Sequence, residues 1–113
     1  MKQIADIPLA PHLTRALENL RRRLLAEFEI ETMILYGSVA RGEADEESDQ
    51  DVLVVTIQPV TDAERDRITR AAFEVNLRHD TSISTLVVDR ETWETGAAVC
   101  LLRDEILRDG IAL

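Results

Sequence analysis

The sequence predicts an α+β domain, an α/β-sandwich-like arrangement in which a small mixed β-sheet is flanked by helices. Three observations point there. An amphipathic stripe of helical period lies near the amino terminus, three short β-branched or aliphatic runs are each stopped by turn residues, and helical segments follow the second and third of these runs. The order helix, strand, turn, strand, helix, strand, helix implies helices packed over a sheet of three or more strands. At 113 residues the chain fits one domain, 1–113, with room for one core layer system and no second domain.

After Pro8 and Pro11, Leu13, Leu17, Leu20, Leu24 and Phe28 recur at steps of three and four with charges between them, which predicts a helix over 11–29. Met33 to Tyr36 is a continuous apolar run stopped by Gly37, the pattern of a strand buried on both faces. Residues 41–50 are polar and acidic and predict a loop. Val52 to Ile57 is a second strand, ended by Pro59. Thr61 and Glu64 have capping-box spacing, so a helix starts there and carries Ile68, Ala71, Ala72 and Val75 on one face up to about His79. Residues 82–88 form a third strand. A last helical region follows Asp89, is interrupted at Gly96, and meets Gly110, placed to end it in a left-handed cap.

Composition narrows function. With 45% hydrophobic and 31% charged residues the chain reads as an ordinary globular protein, neither low-complexity nor disordered. The formal charge of −9 repels phosphate backbones, which argues against direct nucleic-acid or anionic-membrane binding and favours a cation or a basic partner protein. The amino terminus lacks the continuous apolar region of a signal peptide, and no stretch approaches the ~18 apolar residues of a membrane span, so the cytoplasm is the expected location. The one cysteine, Cys100, sits among apolar neighbours and reads as a packing residue.

The segment that can carry chemistry is Gly37-Ser38-Val39-Ala40-Arg41-Gly42, followed after an acidic loop by Ser48-Asp49-Gln50-Asp51 at the mouth of the second strand. A glycine after a buried strand lets the backbone turn and approach a ligand, and free N–H groups at Ser38 would face a phosphate. Residues i and i+2 of an extended segment project to one side with Cα atoms about 6.5 Å apart, so the Asp49 and Asp51 carboxylates can converge on a hard cation. Metal pairs at phosphoryl-transfer sites sit roughly 3.5–4 Å apart with Mg²⁺–oxygen distances of about 2.0–2.1 Å, within reach of both carboxylates. Taken alone, either half reads more simply as a Gly-Ser turn or a solvated acidic loop. An EF-hand is excluded, because counting from Asp45 the sixth position is Gln50 and the twelfth Thr56. A zinc site fails too, since His12 and His79 are far apart and Cys100 is isolated.

Together, Gly-Ser-x-Ala-Arg-Gly and Ser-Asp-x-Asp-Val-Leu-Val resemble the signature of the minimal nucleotidyltransferases of the polymerase beta superfamily. The motif covers residues 37–55, and the ending Leu102 to Leu113 is similar to endings of small bacterial members. The resemblance implies the nucleotidyltransferase fold. It also implies Mg²⁺ held by Asp49 and Asp51, the triphosphate of a nucleoside triphosphate (ATP foremost) on Gly37 and Ser38, a supporting part for Arg41, and Ser48 orienting Asp49. The family's third carboxylate, on a later strand, has no clear counterpart. By position the residue is Ser84, which is no base, and Asp80 just before the strand is the nearest carboxylate, for which a helix-end or turn role is the other reading.

The function this implies is transfer of a nucleoside monophosphate onto an acceptor hydroxyl. The chain has no room for an acceptor domain, so a partner protein supplies the hydroxyl, and the family likeness suggests the antitoxin of a pair whose toxin is HEPN-type. Two rivals stand beside it: a nucleotide-binding module that acts by complex formation, and a small-molecule nucleotidyltransferase working as a homo-oligomer. Arg21-Arg22-Arg23 reads as a solvated helical face with Glu18 four residues from Arg22, and Trp93 as core cover.

Overall fold

The computed structural model describes residues 1–37, 40, 49–96 and 100–113, without the side chains of Ala5, Cys100 and Leu101. The packing expected of Cys100 therefore lies outside the description. Lys2–Gln3 (β1) and a 3₁₀ turn, Ile4–Asp6, lead to α1 (Pro11–Glu27). Pro11 suits the first turn because its missing N–H would be unpaired there in any case. Leu13, Ala16, Leu17, Leu20 and Leu24 form the buried stripe.

β2 (Ile30–Tyr36) starts before the apolar run and β3 (Gln50–Thr56) starts two residues ahead of Val52. Polar residues enter both strands because ladder partners, not side-chain polarity, decide pairing at a sheet's rim. α2 (Asp62–His79) opens on the expected capping box, with Glu64 N–H donating to Thr61 Oγ1 and Thr61 N–H donating to a Glu64 carboxylate oxygen, both at 3.1 Å. β4 (Ile83–Asp89) follows. Asp89 then caps α3 (Arg90–Thr95) by accepting from the Thr92 amide and hydroxyl, and Gly96 ends that helix at φ +68°. After α4 (Cys100–Asp109), Ile111–Ala112 form β5.

Gly110 does not take the left-handed cap expected of it; among the described glycines, only Gly37 and Gly96 have positive φ. A close approach explains this glycine instead. A Cβ there would strike the Ile106 carbonyl and come within 2.7 Å of Ile34 Cγ2.

The strands order as β1-β5-β2-β3-β4, with β2 antiparallel to β3 and β5, and β3 parallel to β4 through the α2 crossover. Helices α1 and α2 cover one face, meeting Met33, Leu35, Val52, Val54, Ile83 and Val87. They run antiparallel, as three rungs show: Asn19 Nδ2 to His79 Nε2 at 3.1 Å, Arg23 to Glu74 at 2.7 Å and Arg67 to Glu27 at 3.0 Å. Two side chains fasten α2 to β4. Arg65 donates to the Val87 carbonyl at 2.9 Å, while Asn76 donates to the Ile83 carbonyl at 3.0 Å and accepts from its N–H at 2.8 Å. The other face holds Ile34, Leu53, Val55 and Val88 against Ile106 of α4, with Tyr36, Leu86, Leu102 and half-buried Trp93 at the fringe. Among the described residues, no helix is long and apolar enough to cross a membrane.

Candidate functional site

The hairpin of β2 and β3 brings the chain from Gly37 back to Asp49, and its register sets Tyr36 opposite Asp51. Side chains alternate along a strand, so Asp51 shares a face with Leu53 and Val55, on the α4 side of the sheet. The parallel register with β4 pairs Asp51 with Ser84. Tyr36, Asp51 and Ser84 thus form one row across three neighbouring strands, with Asp49 just ahead of the row in the same alternation.

Gly37 closes the row at one end. It is buried, its φ is +82°, and a Cβ built on it would lie 2.8 Å from Asp51 Oδ2. The turn therefore requires glycine twice over, once for a left-handed backbone and once for the space against the carboxylate. Main chain and acid meet at a distance no side chain fits.

Electrostatics mark the same spot. Burial first, then the charge of Asp49, then that of Glu105, push the Asp51 carboxyl above the usual carboxylate range. Tyr36 is shifted upward as well, by burial and then by Asp51 and Glu105. Three negative groups thus bear on one point, an arrangement that a bound cation relieves. Among the described residues no three metal-ligating side chains converge closely enough to form a ready cage. The donors present are two carboxylates two residues apart, Asp49 just before β3 and Asp51 within it, a hard oxygen set suited to a divalent cation that keeps part of its water shell and takes further oxygens from phosphates.

Of the residues expected from sequence, Gly37, Asp49 and Asp51 come together here. Ser38, Arg41 and Ser48 lie outside the described residues. Asp80 is the exposed C-cap of α2 at φ 55°, on the helix layer that covers the opposite face. Ser84 takes the row position beside Asp51. Sequence reasoning missed Tyr36 and Glu105 as members of the site. No local spacing betrays Glu105; it arrives through α4, whose Leu102 and Ile106 pack on the same face.

Comparison with known proteins agrees with this geometry. The profile of the family described as the nucleotidyltransferase domain matches residues 17–112. A protein of Methanocaldococcus jannaschii named as a protein adenylyltransferase is 39% identical over 59 residues, which span 52% of this chain and 60% of that relative. A solved structure described as a minimal nucleotidyltransferase superposes with a TM-score of 0.63 at 28% identity, covering 93% of this chain and 97% of that one. A toxin–antitoxin structure with AMP-PNP gives a TM-score of 0.58 at 20% identity over 84% of this chain and 70% of that one, a likeness of fold. By the match along most of its length, the chain belongs to the nucleotidyltransferase domain family.

Proposed function

We propose that this chain, acting as a single domain in the cytoplasm, moves a nucleoside monophosphate, AMP foremost, from a nucleoside triphosphate onto a hydroxyl of a partner protein, with Mg²⁺ as the cation. The observation that carries the reading is the apposition of Gly37 and the Asp51 carboxylate, 2.8 Å from the position of a Cβ. It joins a phosphate-accepting turn to a metal-accepting acid with nothing between them. Asp49 and Asp51 would hold Mg²⁺, which when bound neutralises phosphate charge and orients the triphosphate.

The chain's own residues do the rest. Gly37 and Ser38 offer backbone N–H groups to the phosphates, Arg41 and Ser48 support the loop, and Tyr36 walls the site at the end of β2. The acceptor hydroxyl oxygen bonds to the α-phosphorus, the bond from that phosphorus to the bridging oxygen breaks, and pyrophosphate departs. The hydroxyl proton passes to solvent or to a carboxylate of the Asp49–Asp51 pair; Asp80, the candidate from sequence, caps α2 in the layer over the opposite face of the sheet. The formal charge of −9 favours a basic partner. The name of the Methanocaldococcus relative and the toxin–antitoxin pairing of the fold neighbour support a toxin as that partner, this chain being the antitoxin; the HEPN type is what the motif's resemblance implies.

Calorimetric titration of ATP, with and without Mg²⁺, into wild type and an Asp49→Ala, Asp51→Ala double variant tests the site. Metal-dependent heat that vanishes in the variant is expected; its persistence would sink the assignment. A second reading has one observation in its favour. Ser84, not a carboxylate, is the register partner of Asp51 on β4, which suits a module that binds nucleotide and neutralises its partner by complex formation alone. Incubation with α-labelled ATP and the partner separates the two, since covalent label on the partner excludes the binding module.

A further inference from the structure

The row at the site holds a hydroxyl that transfer onto a partner leaves unused. Tyr36 is the single tyrosine of the chain. It directly precedes Gly37, the turn proposed to take the phosphates, and it is the register partner of Asp51, the acid proposed to take the cation. Directly opposed residues of an antiparallel pair share a face, with Cβ atoms about 4.5–5.5 Å apart. Gly37 and the Asp51 carboxylate are themselves in contact, at 2.8 Å from the position of a Cβ. Tyr36 is thus bonded to one of these groups and faces the other across the ladder. It is neither sealed in the core nor fully exposed. The charges of Asp51 and of Glu105 both reach its phenol group, and among the described residues its hydroxyl has no hydrogen-bond partner. A phenylalanine would cover Ile34 and Leu53 as well without bringing a hydroxyl among carboxylates.

We propose that Tyr36 is itself an acceptor: with no partner present, the chain moves the nucleoside monophosphate onto its own Tyr36 hydroxyl. This rests on the nucleotidyltransferase reading of the site. The bond from Tyr36 Oη to the α-phosphorus forms, the bond from that phosphorus to the bridging oxygen breaks, and pyrophosphate leaves with the electron pair. The phenol proton passes to the Glu105 carboxylate or to solvent. Holding the nucleophile beside the phosphates replaces a bimolecular encounter with a step inside one chain, which is where proximity contributes most. The product is a phosphodiester of tyrosine whose nucleotide stays in the site. Each chain therefore reacts once and then no longer accepts a nucleoside triphosphate, so the modification limits itself and withholds the site from a partner.

The test incubates the full chain, without a partner, with Mg²⁺ and α-labelled ATP, and maps the label by mass spectrometry of peptides. Label is expected on the peptide holding Tyr36, at a rate that does not change when the protein is diluted, and Tyr36→Phe should take none. A readout without turnover uses α,β-methylene ATP, in which carbon replaces the oxygen of the bond to be broken. In protein carrying ring-labelled tyrosine, the single tyrosine signal in the NMR spectrum should shift as this analogue binds. Four results would overturn the proposal and leave the transferase reading standing: a wild type that binds ATP with metal-dependent heat yet stays unlabelled, label on another residue, labelling that slows on dilution, or a tyrosine signal indifferent to the bound analogue. Absence of metal-dependent binding of ATP would overturn both.

Discussion

Asp51 is held where ionisation is disfavoured, by burial and by its two acidic neighbours, and this has a sign. A carboxyl raised in the folded state above its unfolded value stabilises the fold fully below the unfolded pKa, and that contribution is lost as pH rises through the folded pKa. Asp51→Asn should therefore raise the melting temperature of the metal-free protein near neutral pH. The gap should close in mild acid, and Mg²⁺ should stabilise wild type but not the variant; calorimetric melts across pH, with and without the cation, check all three. Gly37→Ala should cost about 1–2 kcal/mol from the left-handed backbone alone, read in urea denaturation. It should also displace Asp51 and abolish metal-dependent nucleotide binding. Ser84→Asp should strengthen divalent-cation binding roughly tenfold, about 1.4 kcal/mol, because the parallel register sets the new carboxylate one strand spacing from Asp51. Gly37, Asp49 and Asp51 were readable in sequence because a single hairpin brings them together. Tyr36 looked like the end of a buried run until the register set it opposite Asp51, and Glu105 is one of several acids in a helix whose packing sequence does not announce.

Among the elements, α2 was the plainest to read, because its start signal is local: a threonine and a glutamate three apart complete each other's hydrogen bonds. Thr61→Ala should destabilise the fold by about 1 kcal/mol, measured as a shift in urea midpoint with the slope unchanged. The break at Gly96 was legible for the same reason, a single residue sufficing to turn the backbone. Gly110 was legible as a helix end and misread in kind, since its need for a hydrogen side chain comes from Ile34 on a strand far away in sequence. Gly110→Ala should cost about 1–3 kcal/mol as an overpacked position, more than a glycine in open solvent would show. The two-residue strands β1 and β5 escape any periodicity argument, because a run so short has no pattern. They exist because Ile111 and Ala112 find partners on β2, while Lys2 and Gln3 find partners on β5.

At the scale of the whole molecule, the sheet separates two apolar layers of unequal size. The larger lies under α1 and α2, and the smaller, under α4, is open towards Asp51. Leu17, fully buried in the larger layer, should cost about 2–5 kcal/mol on truncation to alanine, a loss visible in thermal and chemical unfolding alike. The exposed ion pairs between α1 and α2 contribute less, at most about 1 kcal/mol each, and their value lies in fixing the helices antiparallel. The layering was legible because helix and strand periods differ; the strand order was not, because apolar runs say nothing of neighbours or direction.

The side chains that fasten α2 to β4 have another consequence. β4 is the last strand on its side of the sheet, and its outward-pointing backbone groups would template a strand from any other chain. Asn76 occupies both the N–H and the carbonyl of Ile83, and Arg65 occupies the carbonyl of Val87, so a visiting strand finds its first anchoring point and half of its third already taken. A sequence as aliphatic as Ile-Ser-Thr-Leu-Val-Val thus sits at a border with part of its pairing edge occupied by its own chain, which lowers its tendency to recruit copies of itself into a growing fibre.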